Sequence, residues 1–443
     1  MLKKIFTGLL LLLALLIVAA LAAYLYYWRP ALAPVNPPAA TAFSPQVVER
    51  GRILAGMGNC AACHTATGGA DYAGGHGLAT PFGTIYATNI TPDTQTGIGR
   101  WSLAAFQRAM REGVGRDGAH LYPVFPYTHF SLVSETDLTA LYAYFMTRPP
   151  VYAVAPANTV PFPLNLRPLQ AGWKLLFFKP ATFQLDPAQG LDWNRGRYLA
   201  EGLAHCAACH TPRNALGAEI AASSYLGASI DRWYAPALTS ANTAPLPWTQ
   251  DELYAFLRTG ATALHGVAAG PMSAVVHEGM GASPDSDIRA LSVYFAGVAG
   301  VAGAAGRKVD ADAVIEAGIA RSQRVSLVDN DRGASLYVAA CASCHSNSDG
   351  RPVALRPELS LNSAVSAPDP ANLIQVILHG IGKDAAMPGV LMPGFAASLT
   401  DNDVAQLAAY LRRSRSHQPA WTNLEGAVAR ARAAARAAPG AAK

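Results

Sequence analysis

Cys60-Ala61-Ala62-Cys63-His64, Cys206-Ala207-Ala208-Cys209-His210 and Cys341-Ala342-Ser343-Cys344-His345 hold every cysteine of the chain. Two thiols separated by two residues, with histidine directly after, form the pattern of covalent c-type haem attachment. The thiols bond to the haem vinyl groups, and the adjacent histidine supplies the proximal nitrogen to iron. A disulfide framework gives no reason for a histidine after each pair. A structural zinc site gathers four ligands from two neighbouring pairs, whereas these motifs lie a whole domain's length apart along the chain. A thioredoxin-like redox motif is not expected three times in one chain. The sequence therefore predicts three haems c, held by Cys60 and Cys63, Cys206 and Cys209, and Cys341 and Cys344, with His64, His210 and His345 as proximal ligands.

Outward from the motifs, the chain repeats itself. Arg50-Gly51-Arg52-Ile53-Leu54, Arg195-Gly196-Arg197-Tyr198-Leu199 and Arg332-Gly333-Ala334-Ser335-Leu336 precede the three motifs, each in a short helix that delivers the cysteines. Trp101 follows Cys60 at almost the spacing by which Trp248 follows Cys206; each starts a helical stretch, with Ser102 and Thr249 as N-caps. Each copy closes with an amphipathic helix, over 135–146, 285–295 and 400–412, carrying a late tyrosine (Tyr144, Tyr294, Tyr410). The predicted fold is all-α: three tandem domains at about 46–150, 186–300 and 326–415 behind an N-terminal transmembrane helix. Segment 151–185 is too apolar for a solvated linker, with Pro161-Phe162-Pro163-Leu164 and Trp173-Lys174-Leu175-Leu176-Phe177-Phe178, and is expected to pack between domains or onto a partner or membrane. Residues 301–325 read as a linker, and 416–443 as an Ala/Arg-rich tail, helical or disordered from about Ala427.

The sixth iron ligand is expected from a loop shortly before each last helix; methionine there raises the potential. Met272 in Gly270-Pro271-Met272 is the candidate in copy two, with Met280 and His277 as rivals. Met392 in Leu391-Met392-Pro393 is the candidate in copy three, with Met387 as its rival. Copy one departs from the pattern, because Phe125 stands where, counting from Cys60, methionine is expected. Phenylalanine cannot bind iron, so His129 becomes the candidate, with Met110 and His120 as rivals.

Lys3 and Lys4 precede an apolar run from Ile5 to Trp28 that ends in Tyr24, Tyr26, Tyr27 and Trp28. Its length and aromatic end suit a membrane anchor over 1–28, with the lysines inside and the haem domains outside. Ala20-Leu21-Ala22 keeps a cleaved signal open. Residues 29–45 form a Pro/Ala spacer. A formal charge of +5 omits the haem propionates, and the positive residues are scattered except in the tail, so nucleic-acid binding has no support.

With Thr84-Ile85-Tyr86-Ala87-Thr88-Asn89-Ile90-Thr91-Pro92-Asp93, Leu121-Tyr122-Pro123 and Leu141-Tyr142-Ala143-Tyr144-Phe145 beside three haem motifs, residues 46–415 resemble the triple-haem cytochrome c subunits of bacterial membrane-bound periplasmic dehydrogenases. Phe125 and the stretch 161–178 are more similar to cytochromes paired with molybdopterin aldehyde dehydrogenases and nicotinate- or isoquinoline-oxidising enzymes. That resemblance implies a subunit with no catalytic site of its own. It implies relay of electrons from a molybdopterin subunit and a small iron–sulfur subunit to ubiquinone or another respiratory acceptor, on the periplasmic side of the cytoplasmic membrane. The cytochrome subunit of a quinoprotein alcohol dehydrogenase or of a flavin sugar or gluconate dehydrogenase is the nearest alternative. A multihaem peroxidase or sulfur-compound oxidase is an alternative of another class, and needs an open iron position, which only copy one could offer. A free-standing respiratory carrier is a third.

Overall fold

A computed structural model describes residues 2–230, 232–300, 310–323, 331–345, 357–382 and 392–437, save the side chains at 2, 16, 19, 20, 23–25 and 435–437. Two compact units emerge: residues 1–52 with 63–183, and residues 53–62 with 184–443.

Helices α1 (Leu2–Tyr27), α2 (Pro45–Met57) and α3 (Cys60–His64) open the chain, with residues 53–62 counted in the second unit, and in the first unit a hairpin of β1 (Gly77–Thr80) and β2 (Gly83–Tyr86) comes next. Helices α4 (Leu103–Glu112), α5 (Tyr127–Phe130), α6 (Glu135–Met146) and α7 (Pro168–Phe177) follow. Ser102 caps α4 by accepting the Ala105 N–H at 3.2 Å, as the sequence predicts. Gly113 stops that helix in the left-handed region, at φ 62°. The predicted stripe of α6 is core: Leu138, Leu141, Tyr142 and Phe145 are all buried. α2 approaches α6 closely because Gly51 has no side chain; a Cβ there would lie 2.0 Å from the Ala140 carbonyl oxygen. Beside this contact, Arg50 pairs with Asp137 at 3.1 Å.

The second unit repeats the device twice. Its elements are α8 (Leu191–Tyr198), α9 (Ala207–His210), β3 (Ala228–Ile230), β4 (Trp233–Ala235), α10 (Gln250–Thr259), β5 (Ala261–Thr262), β6 (Gly266–Val267), α11 (Pro271–Ala274) and α12 (Asp285–Val298). Next come α13 (Ala311–Gln323), α14 (Arg332–Ala340), α15 (Ala342–His345), α16 (Ser363–Ser366), α17 (Ala371–His379), α18 (Asp401–Arg415) and α19 (Leu424–Ala437). α8 meets α12 at Gly196, 2.0 Å from the Ala290 oxygen for a built Cβ, with Arg195 on Asp287 at 2.8 Å. α14 meets α18 at Gly333, 2.4 Å from the Gln406 oxygen, with Arg332 on Asp403 at 2.8 Å. The repeated Arg-Gly dipeptide thus joins the helix before each haem motif to the last helix of the same copy. Thr249 caps α10 in a reciprocal box with Glu252, and Thr400 caps α18 in the same way with Asp403.

Helices dominate, as expected, but among the described residues three two-stranded hairpins, β1–β2, β3–β4 and β5–β6, qualify the all-α reading. β2 forms because Thr84, Ile85 and Tyr86 are strand formers that follow Gly83, which turns the chain at φ 114°. The N-terminal expectation needs correction. A helix does form there, but among the described residues no helix is long and apolar enough to cross a membrane. The end of α1 is engaged by protein: its Tyr27 carbonyl accepts from His120 Nε2 at 2.9 Å, and the Tyr27 and His120 rings lie 5.5 Å apart. Segment 151–185 carries α7, which buries Gln170, Ala171 and Lys174 and leaves Leu175 and Leu176 exposed, as is Phe162 before it. The Ala/Arg tail is helical in α19, with Val428 fully buried.

Candidate haem sites

Each motif histidine sits at the end of a helical turn, which α3, α9 and α15 provide. His64 Nδ1 donates to the Thr88 carbonyl at 2.7 Å, and His210 Nδ1 donates to the Pro236 carbonyl at 2.6 Å. This bond fixes the tautomer and leaves Nε2 as the free lone pair, the arrangement a metal-ligating imidazole needs. Burial pulls both histidines below the ordinary imidazole range, and the carbonyls offset only part of that. Burial likewise lowers His345, so the three rings favour the neutral, ligating form. Its motif is held from behind, the His345 carbonyl accepting from Tyr337 Oη at 3.2 Å.

No disulfide joins the six cysteines. Burial pushes the Cys206 thiol up to about 12 and the Cys341 thiol up to about 11. Such thiols are not the exposed thiolates of a redox or nucleophilic site; they suit permanent thioether links inside a packed crevice.

In the second unit, one cavity of about 700 Å³ is lined by Cys206, Cys209, His210 and Met272 and also by Cys341, Cys344, His345 and Met392. Its walls are apolar, with Leu246, Trp248, Leu257 and Phe295 from one copy and Leu373, Ile377, Leu407 and Leu411 from the other. Apolar walls, paired thiols, a tied imidazole and a thioether sulfur together fit haem c. Met280, the rival of Met272, lines the same cavity and is 2% exposed. His277, the other rival, does not line it. Met392 is placed by reciprocal backbone bonds with Ile381, both 2.9 Å. Its rival Met387 lies outside the described residues.

Copy one keeps the framework and loses the methionine. Leu121 N–H donates to the Gly113 carbonyl at 2.8 Å, and Ala268 N–H donates to the Gly260 carbonyl at 2.7 Å, each just after its capped helix. Counting onward equally from these matched anchors, Leu121 and Ala268, brings Phe125 into register with Met272. Phe125 packs on Phe130, ring centres 5.3 Å apart. His129 sits in α5, 9% exposed, and Met110 is buried in α4. His120 is occupied at both ring nitrogens: Nε2 donates to Tyr27, and Lys174 Nζ donates to Nδ1 at 3.1 Å. It is therefore the weakest of the three candidates for iron.

Several residues around these sites escaped the sequence reading. Lys174 is 5% exposed and donates to the Glu112 and Gly113 carbonyls at 2.5 and 2.7 Å, closing the C-terminal end of α4. His265 stacks on Trp248 at 3.9 Å and lines the shared cavity. Asn158 and Asn372 bond to the strands that lead into the Thr88 and Pro236 carbonyls. The matching triplets Tyr86-Ala87-Thr88 and Tyr234-Ala235-Pro236 are the only trace of that role in the sequence.

The sequence profile described as "Cytochrome c" matches residues 48–149, and that described as "Cytochrome C oxidase, cbb3-type, subunit III" matches residues 328–411. The chain is 48% identical over 413 residues to a nicotinate dehydrogenase subunit of Pseudomonas putida, covering 92% of this chain and 33% of the relative. It thus spans about a third of that protein's length. It is 38% identical over 399 residues to the fructose dehydrogenase cytochrome subunit of Gluconobacter japonicus, covering 85% and 81% of the two chains. To the cytochrome c subunit of alcohol dehydrogenase (quinone) of Gluconacetobacter polyoxogenes it is 36% identical over 382 residues, covering 83% and 80%.

Proposed function

Because the chain belongs to the family of cytochrome c subunits of dehydrogenases, which transfer electrons and are not the catalytic subunits, we propose that it is a three-domain, three-haem relay between a dehydrogenase and a respiratory acceptor. The observation that carries the proposal is the cavity on which two Cys-x-x-Cys-His motifs converge together with Met272, Met280 and Met392. When bound, each haem supplies a one-electron couple, so a two-electron oxidation can be drained in single steps. Cys60, Cys63, Cys206, Cys209, Cys341 and Cys344 would hold the rings, and His64, His210 and His345 would ligate iron. Met272 and Met392 would fill the remaining ligand position in copies two and three. His129 takes that of copy one and gives it the lowest potential, since imidazole stabilises ferric iron more than a thioether does.

The catalytic partner in this reading is a molybdopterin enzyme with a small iron–sulfur subunit, acting on an N-heterocycle or an aldehyde, and the acceptor is a quinone. Similarity to a nicotinate dehydrogenase subunit over 92% of this chain supports the first choice. The fructose and alcohol dehydrogenase relatives, matched over about four-fifths of their own length, favour the second reading, a flavin or quinoprotein partner. Attachment to the periplasmic face of the membrane through residues 1–28 belongs to the same proposal. Its support is the Lys3-Lys4 start and the exposed Ile5, Phe6, Leu9, Leu11 and Leu15 of α1.

Pyridine haemochrome assay of the denatured chain is expected to return three covalent haems; two or fewer in fully matured protein would overturn the relay. Affinity purification from native membranes with metal analysis decides the partner. Molybdenum with non-haem iron supports the first choice, and pyrroloquinoline quinone with calcium and no molybdenum refutes it.

A further inference from the structure

The carbonyls that hold His64 and His210 are themselves held by asparagines, each bonded to the strand just upstream. In copy one, Tyr86 N–H at the end of β2 donates to Asn158 Oδ1 at 2.8 Å, and Thr88, two positions on, supplies the carbonyl for His64. In copy two, Tyr234 N–H in β4 donates to Asn372 Oδ1 at 2.8 Å, and Pro236, two positions on, supplies the carbonyl for His210. Both strands lie in two-stranded hairpins, β1–β2 and β3–β4, so each presents an edge that something must cover.

The cover comes from different places. Asn158 belongs to the segment after α6, where Thr159 also exchanges bonds with Thr84: Thr84 N–H to Thr159 Oγ1 at 2.8 Å, and Thr159 N–H to the Thr84 carbonyl at 2.9 Å. Asn372 belongs to α17, within the third copy, and returns a second bond from Nδ2 to the Tyr234 carbonyl at 2.8 Å. Gln375, one turn along α17, donates to the Arg232 carbonyl at 3.3 Å, before the strand begins.

We propose that Asn158 and Asn372 are positioning residues for the proximal histidines of the first and second haems, and that through Asn372 the third copy sets the potential of the second haem. The proposal rests on the reading of His64 and His210 as iron ligands. A hydrogen bond from Nδ1 to a fixed carbonyl raises the basicity of Nε2 and so favours ferric iron. An asparagine that pins the strand keeps that carbonyl in place. Loss of the pin lengthens the bond, weakens the imidazole as a donor and raises the midpoint potential of that haem alone.

The test is spectroelectrochemical titration of the full, matured chain carrying Asn372→Leu, Asn158→Leu or both, with Gln375→Leu as control. Each asparagine variant is expected to raise one midpoint potential, a different one for each, by up to about a tenfold change in redox equilibrium, or about 59 mV. The double variant should show both shifts, and the Gln375 variant neither. If leucine prevents maturation, Asn372→Ser, too short to hold both Tyr234 groups, is expected to give a smaller shift of the same haem. Unmoved potentials in folded variants, or equal shifts in all three haems, overturn the proposal. A haem count below three in the parent chain would instead overturn the relay on which it rests.

Discussion

Gly196→Ala is the sharpest perturbation of the fold. The new Cβ would stand 2.0 Å from the Ala290 carbonyl oxygen and 2.7 Å from Tyr294 Cβ, and the nearest obstacle is backbone that no rotamer change can move. In a close-packed interior, relief requires α8 and α12 to separate by roughly 1 Å. That separation strains the Arg195–Asp287 pair at 2.8 Å and the Trp193–Tyr294 ring contact at 5.2 Å. Overpacking of this kind costs about 1–3 kcal/mol, and a backbone clash belongs at the upper end. Alanine recovers up to about 1 kcal/mol through its helix propensity. A net loss of about 2 kcal/mol lowers the melting temperature by roughly 4–8 °C for a unit of this size. Thermal unfolding followed by far-ultraviolet circular dichroism reads it, with Gly172→Ala in α7 as control, because nothing lies within 4 Å of a Cβ there. The control is expected to hold or raise its midpoint. A Gly196→Ala protein that melts with the parent would refute the idea that glycine is required at this crossing, and with it the same claim for Gly51 and Gly333.

His129→Ala is expected to convert one haem to high spin in absorption and EPR spectra and leave the others untouched; an unchanged spectrum passes the role to Met110. Lys174→Met strips the donor from the Glu112 and Gly113 carbonyls and should cost about 1–3 kcal/mol in a denaturant titration. Burial lowers Lys174 to about 7, so above that pH the folded unit holds fewer protons than the unfolded chain. Its contribution therefore grows as pH rises from about 7 toward the usual lysine range, and a Lys174→Met cost that shrinks over that interval contradicts the burial argument. Removal of residues 1–34, with a cleavable signal supplied, is expected to release a haem-bearing chain from the membrane fraction; a truncated chain that still sediments with membranes refutes attachment through residues 1–28.

What the sequence revealed was local. The Ser102 and Thr249 caps and the last helices are written in residues a few positions apart, and the structure forms them where expected. Phe125 was readable as a departure by counting from Cys60, and its register with Met272 agrees. The hairpins were missed because such short strands carry too little periodicity to stand out. Lys174 looked like part of an apolar run, and its burial depends on the carbonyls of Glu112 and Gly113, far back along the chain. Asn158 and Asn372 act on strands equally remote in sequence, a pairing no window along the chain contains. The N-terminal run was judged by length and hydropathy, whereas the helix end is also shaped by its contact with His120.

The common wall between the second and third copies bears on how such a chain can be taken apart or recombined. Leu373 and Ile377 of α17 face the same space as His210, and Tyr234 receives its backbone partner from Asn372. A foreign third domain grafted after α12 would bring its own haem motif but not this lining. The second site would then be left open on one side, and its cofactor in water. In the proposed relay, residues 186–415 are expected to exchange between related chains as one module, and single-domain swaps within that span should yield immature protein even where each donor domain is sound by itself.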